Sequence, residues 1–160
     1  MESMNFAAIL VAAVSALVMG FIWYNPKVFG TAWMKVADMS EEKMKGANMA
    51  KIFIMAFIFA VLLAMSIMPM VIHQMGAFSL AQGELGVQPS YEAFMAEYAN
   101  EFRTFKHGAF HSVLAGVFIA LPILGTNALF ERKSAKYILI NSGYWVVTMG
   151  LMGAIICGWQ

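Results

Sequence analysis

Residues 3–26 read SMNFAAILVAAVSALVMGFIWYNP, 24 positions between Glu2 and Lys27 without a charge. A helix of about 20 apolar residues crosses the roughly 30 Å of hydrocarbon in a bilayer. Three more charge-free runs follow: 32 residues at 52–83, 24 at 107–130 and 24 at 137–160. Membrane spans are therefore expected near 4–24, 52–73, 107–129 and 137–159, with a connection at 74–104. Met1-Glu2-Ser3-Met4 holds no Lys or Arg, and the first run exceeds a signal-peptide core. It is expected to remain as a membrane helix.

Composition agrees with that reading. The chain has 160 residues, 61% hydrophobic and 12% charged, against about 45–50% and about 25% in soluble domains. Nineteen charged side chains cannot cover so much apolar mass, which excludes a soluble globular domain and a disordered chain. One cysteine, Cys157, excludes a disulfide scaffold, and a net charge of +1 offers no footprint for nucleic acid. The expected fold is all-α: a polytopic membrane protein whose four transmembrane helices form one compact bundle over residues 1–160, as two antiparallel hairpins.

Basic residues set an orientation, since cytoplasmic connections collect Lys and Arg. Lys27, Lys35, Lys43, Lys45 and Lys51 lie in the first connection, and Arg132, Lys133 and Lys136 in the third. The second holds only Arg103 and Lys106, so both termini are expected to face outward from a cytoplasmic membrane. Asn25-Pro26 should end the first helix, and Ser40-Glu41-Glu42 resembles a helix start that would begin the second helix well below the membrane. From Ser90 onward the chain looks helical, a short outer amphipathic helix expected to extend span three without a break.

Small residues recur every four positions: Ala8, Ala12, Ala16 and Gly20; Ala56, Ala60 and Ala64; Gly108, Ser112, Gly116 and Ala120; Gly150 and Ala154. Lipid offers no hydrophobic drive for association, so such ridges predict close packing of backbones, within one chain or between chains. Fifteen methionines, several near His73, read as flexible packing rather than as thioether ligands for copper.

One polar constellation stands out. On an unbroken helix Glu97, Glu101, His107 and His111 share a stripe, and His73 lies at a similar membrane depth. Imidazole with carboxylate suits a divalent transition metal such as Zn, Fe or Mn. The same stripe also reads as the wet face of an emerging helix, or as a proton or solute path. Catalytic signatures are lacking: no GxSxG, P-loop or HExxH occurs.

Trp23-Tyr24-Asn25-Pro26, Phe29-Gly30 and Trp33 follow the pattern WYxPxxFGxxW, and Ile140-Asn141-Ser142-Gly143-Tyr144 follows later. In these stretches the chain resembles the small bacterial four-helix membrane proteins catalogued as domain of unknown function seventeen sixty-one. The resemblance implies an integral membrane protein of bacterial origin and supplies no substrate. Three functional readings follow from the residues: a small oligomeric permeation or accessory protein, with a second copy or another membrane protein as partner; a metal-binding protein, enzymatic or not, using His73, Glu97, Glu101, His107 and His111; and a scaffold binding anionic membrane lipids through Arg132, Lys133, Lys136 and Lys27.

Overall fold

The computed structural model describes residues 4–83, 86–87 and 89–159. Four helical segments are long and apolar enough to cross a membrane: Phe6–Trp23, Met49–Val71, Phe105–Phe130 and Ala135–Gly158. The chain is a multi-pass membrane protein built as a helical bundle.

Helix α1 (Phe6–Trp23) starts where the Asn5 side chain accepts from the Ala8 amide. A π-helical stretch, Pro26–Gly30, leads into α2 (Thr31–Ala37). Helix α3 (Glu41–Met44) is a single turn capped by Ser40. It does not open the second span as expected: the chain turns at Gly46, with φ of 88°, and Asn48 caps a separate helix, α4 (Met49–Val71). Ile72 is extended, and α5 (His73–Leu80) then starts in a new direction. A two-residue antiparallel pairing of Gln82–Gly83 with Gly86–Val87 precedes α6 (Pro89–Tyr98).

The third span has three parts: α7 (Phe105–Ala115), a π-helical stretch Gly116–Ala120, and α8 (Leu121–Phe130). Pro122 lacks the N–H that an α-helical register would donate to residue 118, and the wider turn just before it absorbs that loss. Helix α8 ends with Arg132 left-handed at φ of 55°, the Arg132 amide donating to Leu129 O (3.0 Å) and the Lys133 amide to Ala128 O (2.8 Å). That pair of bonds satisfies the last carbonyls of α8 and reverses the chain into α9 (Ala135–Gly158), capped by Ser134.

Helix α9 is the centre of the bundle, packed against α1, α4, α7 and α8, with α1 also lying on α4. The small-residue ridges are the contact surfaces. Ala8, Ala12, Ala16, Ala60, Ala64, Gly108, Ser112, Gly116 and Gly150 are buried, while Phe21, Leu62, Phe118 and Leu139 are more than half exposed and left for lipid. The two motif stretches meet at the lysine-rich end. Trp23 Nε1 donates to Ile140 O (3.0 Å) and Tyr24 Oη to Asn141 Oδ1 (3.0 Å). A Cβ on Gly143 would stand 3.0 Å from the Trp23 ring, so the glycine makes room for the indole. At the opposite end Asn5 Nδ2 donates to Trp159 O, which brings the two termini to one face. On the lysine-rich side the exposed Asp38 carboxylate meets Lys43 Nζ at 2.7 Å, and that ammonium holds its pKa below the usual value.

Candidate metal centre

Two interruptions of helix deliver the histidines to the termini face. The first is extended Ile72, which re-aims the chain so that His73 opens α5. The second lies between α6 and α7. Phe102 is left-handed (φ 60°) and Thr104 extended (φ −133°, ψ 151°), its hydroxyl accepting from the His107 amide at 3.2 Å. His107 and His111, one turn apart on α7, project together from this capped first turn.

The three imidazoles converge. His73 Nε2 and His107 Nε2 stand 2.9 Å apart, so one nitrogen carries the hydrogen and the other offers its lone pair. Ring centroids are 4.9 Å apart for His73 and His107, 5.1 Å for His73 and His111, and 4.4 Å for His107 and His111. One nitrogen from each ring can be chosen so that all three lie within 4.8 Å of one another. Phe102 stacks on the His107 ring at 5.1 Å and backs the cluster on one side. His73 is exposed, and the other two are half-buried, so the cluster keeps an open side.

The carboxylates do not join them. Among the described residues this trio is the only set of three or more His, Cys, Asp or Glu side chains close enough to share an ion. Glu97 lies exposed on α6 next to Tyr98, and its carboxylate pushes that exposed phenol's pKa up. Glu101 is exposed in the turn after α6. The expectation of a helix running unbroken into span three is corrected here: the outer helix is present but ends at Tyr98. A single stripe from Glu97 to His111 needs 100° of rotation at every residue, and left-handed Phe102 followed by extended Thr104 destroys that phase. Thr104, an N-cap residue type one position ahead of Phe105, was a legible sign of the restart.

Three residues around the cluster are not conspicuous in the sequence. Gln74 is 5% exposed and donates its amide to Tyr98 O (2.8 Å) and Glu101 O (3.0 Å). Cys157 is fully buried, with Sγ 3.3 Å from Val71 O and 3.4 Å from Phe102 O. Arg103 Nε donates to Cys157 O at 3.2 Å. Together they tie α5, the 98–104 segment and the end of α9.

A family model described as protein of unknown function (DUF1761) matches residues 7–157, nearly the whole chain. The protein belongs to the DUF1761 family. That match includes both motif stretches and all three histidines of this DUF1761 member. Comparison with curated proteins and comparison with solved structures return no match. An integral membrane protein is thus established.

Proposed function

We propose that this protein is a metal-binding membrane protein that holds one divalent transition metal on His73, His107 and His111. The observation that carries the reading is the convergence of the chain's three histidines, from two separate segments, to nitrogens within 4.8 Å. Zn–N bonds of about 2.0–2.1 Å place tetrahedral ligand nitrogens roughly 3.3 Å apart. The 2.9 Å His73–His107 pair therefore has to open by only a few tenths of an ångström. A neutral three-imidazole set without carboxylate suits Zn²⁺ or Cu²⁺ better than Mn²⁺. Three protein ligands with one side open is also the arrangement in which zinc keeps a bound water and acidifies it.

The site would face outward from a bacterial cytoplasmic membrane. Eight of the ten Lys and Arg residues lie in the first and third connections, away from the histidines, and cytoplasmic loops carry that excess. The small-residue ridges that suggest an oligomeric role are consumed inside the single four-helix unit, whereas exposed apolar side chains on every span suit a lipid surround. In intact bacteria, a membrane-impermeant maleimide is expected to label Ser79→Cys and not Ser40→Cys. The reverse pattern would invert the topology.

The test of the metal is direct. Full-length protein in detergent, stripped with chelator, is titrated with Zn²⁺ and separately with Cu²⁺ against a competing chelator. Near one equivalent should bind. His107→Ala/His111→Ala should weaken binding by more than the 10–100-fold typical of losing an outer-shell partner. Wild-type protein that takes up neither ion stoichiometrically would return the histidines to a packing role.

A further inference from the structure

His73 and the His107–His111 pair sit on different segments, so something must set the distance between them before an ion arrives. The residue best placed to do so is Gln74. It adjoins His73, is 5% exposed, and spans from α5 to the carbonyls of Tyr98 (2.8 Å) and Glu101 (3.0 Å). Its two N–H groups are both used, one on each carbonyl. Those carbonyls belong to the turn that leads through Phe102 to the α7 cap. Cys157 supports the same arrangement from α9, its thiol within reach of the carbonyls at both backbone breaks, Val71 before His73 and Phe102 before His107.

We propose that Gln74 is the positioning residue of the three-histidine centre, with Cys157 as its buttress. This rests on the metal reading. A metal site needs its ligands aimed to within a fraction of an ångström, and losing a residue that orients them commonly weakens metal binding by about 10–100-fold. Gln74 touches no imidazole through its amide. It acts by tying the segment that carries His73 to the segment that carries His107. Leucine at 74 keeps the bulk and removes both bonds. Asparagine keeps the amide but is one methylene too short to span both carbonyls. At 157, serine retains a donor and alanine does not.

The experiment uses the full chain in detergent, with zinc affinity by chelator competition, the visible spectrum of the Co²⁺-substituted protein, and thermal unfolding without metal. Gln74→Leu should weaken zinc about 10–100-fold and change the intensity of the cobalt bands, which report ligand geometry. Gln74→Asn should fall between it and wild type. Cys157→Ala should weaken zinc, and Cys157→Ser should restore most of the loss. If Gln74→Leu does not fold, Gln74→Asn carries the test with the same readouts. Wild-type zinc affinity and cobalt spectrum in the Gln74 variants would overturn the positioning role while leaving the metal site standing. An affinity loss that only follows lost thermal stability, with the cobalt spectrum unchanged, would overturn it too. Failure of the wild-type protein to bind zinc or cobalt would remove the metal reading itself.

Discussion

Gly108→Val is expected to destabilise the bundle strongly and to abolish metal binding with it. Gly108 lies where α7 and α9 touch backbone to backbone. A Cβ there would collide with Gly153 O and stand 2.5 Å from Cys157 Cβ. The contact is reciprocal, because a Cβ on Gly153 would meet Ser112 Oγ and the Gly108 carbonyl. Two turns on, a Cβ at Gly116 would lie 2.7 Å from Val146 Cα. No flexible side chain can yield at these points, so the helices themselves must separate. Overpacking of a core typically costs about 1–3 kcal/mol, and a clash with backbone belongs at the top of that range or above it. Because His107 and His111 flank Gly108 on the same helix, displacing α7 also carries them away from His73. Denaturant titration in mixed micelles measures the first effect and zinc competition the second. Gly76→Ala is the control, since nothing lies within 4 Å of a Cβ there. A Gly108→Val protein with the wild-type unfolding midpoint would mean that α7 and α9 do not meet at these glycines.

His73→Ala should separate metal binding from folding. The side chain is exposed and opens α5 at the edge of the bundle. Without metal, its removal should change stability by less than about 0.5 kcal/mol, as for surface positions generally. With zinc the two proteins should diverge. A ligand that binds only the folded state stabilises it by RT ln(1 + [L]/Kd), about 2.7 kcal/mol at one hundred times Kd. Wild type should gain that increment, and His73→Ala should gain little or none of it. Acid should erase the difference, because an imidazole must give up its proton to ligate, so metal affinity falls as pH falls. Thermal scans of both proteins with and without zinc, at neutral and at acid pH, check all three statements. Equal zinc shifts in wild type and His73→Ala would exclude His73 from the site.

The resemblance that places this chain in its family concerns architecture. Trp23, Tyr24 and Asn141 with Gly143 form one contact between α1 and α9 at the lysine-rich end. Ring contacts of Tyr24 with Trp33 and Tyr144 complete it. The motif is thus accounted for by helix packing, far along the bundle from the histidines. That is why recognising the pattern leads to a fold and not to an activity.

What the amino-acid sequence determined by itself is everything set by local length and period. Charge-free runs long enough to cross hydrocarbon specify four spans, and four-residue spacing of alanine and glycine specifies which faces approach. The 24-residue run at 3–26 and the observed helix Phe6–Trp23 express the same requirement, that a backbone in lipid satisfy its own hydrogen bonds. The site was only half legible. His107 and His111 are four apart on one helix, so their pairing follows from the helical period, but the company they keep does not. Only the tertiary structure brought in His73, through the break at Ile72, and set aside Glu97 and Glu101, through the left-handed turn at Phe102. A single residue outside helical geometry rotates all that follows. Side-chain convergence across segments more than thirty residues apart therefore depends on angles that no count along the chain contains.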